Sequence, residues 1–200
     1  SVERRRIMEH YGAEVVCVHD EGDIGACIEE CIALAQKMAA EDPRVFVPQQ
    51  FVNRDNLAAH VDGTAAEILA DVRAAGIAID GFGTGGTITG IGSELRAVFP
   101  EVQIWAAEPE HAALLSGGAI GTHVQMGIGD GILPAIMDTS FIDGIVVVTD
   151  EEALACARRL AREEGLFCGI SSGTNVAAAL RLARKLGPDK TVVTLAPDTG

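Results

Sequence analysis

The chain has 200 residues, is 48% hydrophobic and carries a formal net charge of −14. That length and apolar share suffice for one sizeable core, or a core with a smaller lobe. The acidic balance speaks against nucleic acid or an anionic membrane as partner, since both need a basic footprint. No apolar run reaches the roughly 18 residues of a membrane-spanning helix, and no basic-then-apolar leader pattern is visible. Cysteines stand at Cys17, Cys27, Cys31, Cys156 and Cys168, with no Cys-x-x-Cys pair. Cys27 and Cys31, one helical turn apart, are read as small buried apolar side chains, in a reducing cytoplasmic setting, and no metal site is expected.

In chain order, "ERRRIMEHY" reads as the end of a helix stopped at Gly12. "AEVVCV" is a β-branched run expected as a strand. Asp23 opens a helix to about Ala40, with Ile24, Ile28, Cys31, Ala35 and Met38 as its apolar stripe. "RVFVPQQF" is expected as a further strand, placed at an edge or strand end by Pro48. The turn-rich "NRDN" marks a lobe boundary, giving residues 1–52 as the tail of a smaller lobe and 53–200 as most of a larger one. The pattern then becomes regular. A helix over 56–75, strand "IAIDGF", a glycine loop and a helix from Thr87 to Val98 lead to strand "VQIWAAE". A Gly-rich stretch over 116–131 precedes strand "GIVVVT", and Asp150 is expected to cap a helix to Glu164, with Thr149-x-x-Glu152 as a capping box. A short strand before Gly169, a helix from Asn175 to Leu186 and strand "TVVTLA" complete the series. Alternating strands and helices predict an α/β layer fold with a mostly parallel sheet. The chain starts within a helix pattern and stops just after a strand, so a fragment of a longer chain is expected.

The loop "GFGTGGTITGIGSEL", residues 81–95, carries the chemistry. A strand that ends in glycines and opens a helix offers unpaired amides and the positive helix end to an anion. A P-loop is excluded, because Ile91 stands where its lysine belongs. A dinucleotide loop fits Gly81-x-Gly83-x-x-Gly86, with Glu108 about 20 residues on as the ribose-binding acid. A cup for a phosphate monoester fits the amides of 84–87 and the threonine hydroxyls. A tight turn with no ligand is the bland alternative. The second constellation is Gly169-Ile170-Ser171-Ser172-Gly173, two hydroxyls at an expected strand end. Ser172 or Thr174 can be explained as a cap of the next helix, Ser171 less readily. No histidine follows His123, so a serine hydrolase is not supported. His60 is expected in a structural role and Trp105 in the core, while His111 and His123 lie in loops without metal-ligand spacing.

"GTGGTITGIG", "GIGDGILP" and "EEGLFCGISSGTNVAAAL", in that order, resemble the cysteine synthase (O-acetylserine sulfhydrylase) family of pyridoxal-phosphate enzymes, of the tryptophan-synthase-β or type II fold. "QQFVNRDNLAAH", "ERRRIMEHYGAEVV" and "APDTG" extend the resemblance over the whole chain. The resemblance implies that Gly83, Thr84, Gly85, Gly86 and Thr87 bind the cofactor phosphate and that Ser171 meets the pyridine nitrogen. It implies Gln50 and Phe51 in the substrate pocket, and Gly127 and Gly129 in a glycine loop beside the cofactor. The implied reaction is β-replacement on an activated serine, O-acetylserine first, with sulfide giving cysteine. Phosphoserine or cystathionine β-synthase chemistry is the near alternative. A nicotinamide dinucleotide domain and a non-catalytic relative are the distant ones. The family also implies a cytoplasmic homodimer and serine acetyltransferase as a partner.

Departures accompany the resemblance. Family members hold the cofactor through a lysine upstream of everything in this chain, and none of Lys37, Lys185 and Lys190 matches it. The 200 residues alone are therefore expected to be inactive. Arg54 and Leu57 stand where prolines are common, 64–67 reads Thr-Ala-Ala-Glu for Thr-Gly-Pro-Glu, and Met126 replaces a glutamine.

Overall fold

A computed structural model describes every residue except 1, 20, 21, 23, 80, 85, 86, 126 and 130. The chain separates into two compact units, Ser1–Val47 and Pro48–Gly200. In the first, α1 (Val2–His10) stops at Gly12, whose φ of 86° suits a residue without Cβ. Helix α2 (Ile24–Glu41) follows. The expected strands over 13–18 and 44–51 do not form. A β-branched run becomes a strand only where another segment completes its hydrogen-bond ladder, and no described strand lies beside either run. None of the described residues of this unit is buried. Cys31 is exposed and Cys27 half-buried, against the expectation that both would be core.

The second unit opens on a tied turn. The Asn53 side chain donates to the Pro48 carbonyl (3.1 Å) and accepts from the Asp55 amide (3.0 Å), so it closes the turn and caps α3 (Arg54–Ala59) together. Asn56 donates to the Gln50 carbonyl at 2.8 Å. These bonds explain why the unit begins at Pro48 rather than at the composition shift near Asn53. A π-helical turn (His60–Ala65) joins α3 to α4 (Ala66–Ala75), which ends on a left-handed Gly76.

Strands β1 (Gly81–Thr84), β2 (Gln103–Pro109), β3 (Gly144–Val148) and β4 (Val192–Thr194) form one parallel sheet in the order β3-β2-β1-β4. Helix α5 (Ile88–Val98) links β1 to β2. Helix α6 (Asp150–Arg159), extended by a π-helical turn (Leu160–Glu164), and α7 (Ile170–Leu186) link β3 to β4. Alternation along β2 separates two cores. Ile104 and Ala106 join Ile88, Ile91 and Leu95 of α5 with Leu69 and Val72 of α4. Trp105 and Ala107 join Val146, Val148, Ala153 and Ala178 on the other face. Ile88, Ile91, Leu95 and Ile104 are fully buried, each stabilising the fold by about 1.5–3 kcal/mol.

Thr149, not Asp150, caps α6. Its hydroxyl accepts from the Glu152 amide (3.2 Å), and the Glu152 carboxylate accepts from the Thr149 amide (3.0 Å). Arg181 of α7 pairs with the same carboxylate and donates to the Val147 carbonyl at 2.6 Å, tying α6, α7 and β3 together. Helix α7 begins at Ile170, ahead of the expected Asn175, and the strand expected before Gly169 reduces to one antiparallel bridge between Cys168 and Thr199.

Gly173 lets α6 and α7 touch backbone to backbone. A Cβ there would lie 2.1 Å from the Ala153 carbonyl oxygen and 2.9 Å from the Ala157 nitrogen. Gly173→Ala is expected to lower stability by about 2–3 kcal/mol, read by urea unfolding; an unchanged midpoint would show that the helices slide apart freely. The Thr149 amide, and beside it the Arg181 guanidinium, hold the Glu152 carboxyl below its ordinary range against a desolvation effect. The folded value lies below the unfolded one, so this stabilisation is full above the ordinary carboxylate range and is lost as pH falls through the lowered value. The Tm gap between the parent and Glu152→Gln is expected to be widest at neutral pH and to close in acid, whereas a constant gap contradicts the assignment.

Candidate active site

The C-terminal ends of the strands gather the residues singled out from the sequence. Gly83 pairs with Trp105 and Thr194, and Thr84 with Ala106, at the end of β1. Gly85 and Gly86 lie outside the described residues. Thr87 is the N-cap residue of α5, and its side chain makes no cap bond to the helix. The positive end of α5 therefore faces the loop, as an anion site requires. Gly81, the first glycine of the dinucleotide pattern, answers to packing instead: a Cβ there would stand 2.7 Å from Leu182 Cδ2 of α7. Glu108 is no ribose ligand. It is buried, its Oε2 accepts from the Leu115 amide (2.9 Å), and its Oε1 accepts from the Ser116 amide (3.1 Å) and hydroxyl. The dinucleotide reading thus loses its acid.

One cavity of about 230 Å³ brings together Gln50, Phe51, Thr87, Gly127 and Gly129. Gln50 and Phe51 reach it from the tied turn before α3. Leu57 and His60, from α3 and the π-helical turn, add to its wall, as do Ile128, Leu133 and Met137. His60 Nδ1 lies 3.1 Å from the Thr64 hydroxyl, a bond within its own helical run. Thr89 also lines the cavity, and its hydroxyl accepts from the Asp138 amide at 3.1 Å.

Gly127 and Gly129 adopt φ of 98° and 69°, conformations that side chains disfavour. A Cβ on Gly129 would collide with Ala112 and Pro109 at 2.8 Å, so this loop lies flush on the end of β2. His123 Nε2 is 3.1 Å from the Gly129 carbonyl, which accepts from it. Ser171 does not line the cavity. It is buried in the first turn of α7, and its Oγ is 4.0 Å from the position a Gly127 Cβ would take. Gly127, which lines the cavity, is thus next to Ser171.

Sequence reading missed the residues that hold this arrangement. Gln125 is fully buried. Its amide donates to the Val148 carbonyl (3.0 Å) and Asp150 Oδ1 (2.9 Å), and its Oε1 accepts from the Thr174 hydroxyl (2.7 Å). Asp150 Oδ2 also takes the Val124 amide at 3.0 Å. Thr174 thus serves the loop, not a helix cap. Asp198 caps α7 from the far end of the unit, accepting from the Ser171 and Ser172 amides at 2.9 and 2.8 Å. None of the described residues that line the cavity is a lysine. Lys37 is exposed and 3.9 Å from Glu41, and Lys185 lies over the Trp105 ring at 4.0 Å. Among the described residues no group of acids, histidines and cysteines could hold a metal ion, and no helix is long and apolar enough to cross a membrane.

A family model described as pyridoxal-phosphate dependent enzyme matches residues 1–198. A cysteine synthase of Staphylococcus aureus is 39% identical, over 100% of this chain and 64% of its own length. A crystal structure of a hydrogen sulfide-producing enzyme from Fusobacterium nucleatum is similar at a TM-score of 0.84 and 35% identity, over 100% of this chain and 67% of the other. An O-acetylserine dependent cystathionine β-synthase from Helicobacter pylori gives a TM-score of 0.86 at 33% identity, over 100% and 64%. The chain spans less than two thirds of the length of the curated relative, and its fold is that of these cysteine synthase-like enzymes.

The Gln125 bonds carry the most exposed consequence of the geometry. Gln125→Leu keeps the volume but leaves the Thr174 hydroxyl, the Asp150 carboxylate and the Val148 carbonyl without their shared partner. A loss of about 2–3 kcal/mol in urea unfolding is expected; a loss indistinguishable from zero would show that water replaces the amide.

Proposed function

The chain belongs to the pyridoxal-phosphate dependent enzyme family, and from that premise we propose that it forms the cofactor and substrate face of a β-replacement enzyme. This enzyme makes cysteine from an activated serine, O-acetylserine in the first instance, and sulfide. The observation that carries the proposal is the single cavity joining Gln50, Phe51 and Thr87 to a glycine loop whose Gly127 lies beside the Ser171 hydroxyl.

The residues present fit the cofactor. Its phosphate suits the α5 N-terminus, where the Thr87 side chain leaves the helix end uncapped, with Gly83, Thr84, Gly85, Gly86 and Thr87 as the proposed contacts. Its ring nitrogen suits the Ser171 hydroxyl, a neutral partner in a buried place. When bound, the cofactor supplies the electron sink for loss of a β-substituent and addition of a nucleophile. Gln50 and Phe51 then bind and orient the amino acid from one wall, and Gly127 and Gly129 let it approach the backbone from the other. The apolar walls at Leu57, Ile128, Leu133 and Met137 exclude water from the reacting carbon. The larger unit, from Pro48 onward, holds all these groups, and a cytoplasmic homodimer with serine acetyltransferase as a partner belongs to the same proposal on family resemblance.

The test is product formation by the full-length enzyme loaded with pyridoxal phosphate, the 200 residues alone being expected to be inactive. Cysteine is expected from O-acetylserine and sulfide. Cystathionine formed from homocysteine in preference to cysteine would move the nucleophile to the thiol of an amino acid. Saturable binding of NAD without either product would overturn the proposal.

A further inference from the structure

The resemblance to known relatives leaves "APDTG" without a role, and the structure supplies one. Helix α7 has Gly169 at its N-cap, a residue with no side chain to satisfy the first amides. The missing cap comes from Asp198, 27 positions beyond Ser171. Asp198 Oδ2 accepts from the Ser171 amide (2.9 Å). Its Oδ1 accepts from the Ser172 amide (2.8 Å) and from the Ser172 hydroxyl. The Gly169 amide in turn donates to the Asp198 carbonyl at 3.1 Å. No local cap could share this place: a Cβ on Gly169 would lie 2.4 Å from Asp198 Oδ2 and 2.8 Å from the Thr199 carbonyl.

The carboxylate thus spends its acceptors on the amides of the helix start and on the Ser172 hydroxyl. The Ser171 hydroxyl lies towards Gly127. We propose that Asp198 is the positioning residue that sets the Ser171 hydroxyl against the cofactor ring. It does so by fixing the backbone of the first turn and by placing its charge against the helix dipole. Resting on the cofactor reading above, this assigns Asp198 an effect on the bound ring that passes entirely through Ser171.

A double-mutant cycle in the full chain separates that from a structural role. Asp198→Asn, Ser171→Ala and the double variant are titrated with pyridoxal phosphate, and the dissociation constant and the absorption maximum of the bound cofactor are recorded. Asp198→Asn is expected to weaken binding about tenfold, as for one charge-assisted hydrogen bond lost, and to shift the maximum in the same direction as Ser171→Ala. The double variant is expected to match Ser171→Ala alone. Additive effects, or a Tm loss with the maximum unmoved, overturn the role of Asp198 and leave the cofactor site standing. A parent protein that takes up no pyridoxal phosphate overturns both. Gly169→Ala displaces the carboxylate while keeping its charge, so it carries the same test should Asp198→Asn fail to fold, with the same spectral shift expected and an unmoved maximum again contradicting the role.

Discussion

The site depends on one buried amide. Gln125 is bonded to the last carbonyl of β3, to the first carboxylate of α6 and to a hydroxyl in α7. Removing water from an amide costs several kcal/mol unless its hydrogen bonds are replaced, so the position is held only while all these partners stay in place. The reward is geometric. Gly127, which follows shortly after, comes to lie against Ser171. Among the described residues, the stretch between β2 and β3 has no helix or strand to satisfy its polar groups, only turn bonds such as those from the Gly118 amide to Ala113 and from the Met137 amide to Pro134. Side chains add to these: Glu108 at 115–116, Gln125 and Asp150 at 124–125, and His123 at Gly129.

Glycine is used in this unit for contact as much as for conformation. Gly173 brings α6 onto α7, Gly81 brings α7 onto β1, and Gly129 brings the loop onto β2. Gly173 does so where two backbones meet, whereas Gly81 makes room for Leu182 and Leu186 and Gly129 for Ala112 and Pro109, so the spacing between strand ends and helix starts is set by close contacts that one methyl group would disrupt. A ligand whose two ends must be held at once needs that kind of rigidity. It also explains why a glycine pattern that fits a dinucleotide loop can arise without a dinucleotide, since its first member answers to Leu182.

Much of the second unit was legible. The strands "VQIWAAE" and "GIVVVT", and α5 between Thr87 and Val98, were readable because their apolar period is local and their partners lie in the same sheet. What failed was non-local. "AEVVCV" has the composition of a strand and no neighbour to pair with. The start of α7 was placed too late because its cap, Asp198, lies 27 positions on, and a carboxylate in a terminal Pro-Asp segment carries no mark of the helix it serves. Gln125 was invisible for the same reason, its partners being 23 to 49 positions distant. Glu108 misled, since an acid at a strand end suits a ribose and a backbone turn equally well in sequence.

The electrostatic design follows from these placements. The chain carries a net charge of −14, so an anionic ligand is held against the overall field by local dipoles. At α5 the helix end is left uncapped by Thr87, which keeps its positive end available. At α7 the opposite holds: Asp198 covers the first amides and sets a full negative charge against the dipole. The two helix starts at the strand ends are therefore electrically unlike. One is suited to an anion, and the other presents a near-neutral first turn in which a hydroxyl, rather than a cation or a carboxylate, is the group turned towards the glycine loop. A ring nitrogen placed there gains a hydrogen-bond partner without a strong pull on its proton. On the function proposed above, such a partner would leave the ring a mild electron sink, as loss of a good leaving group requires.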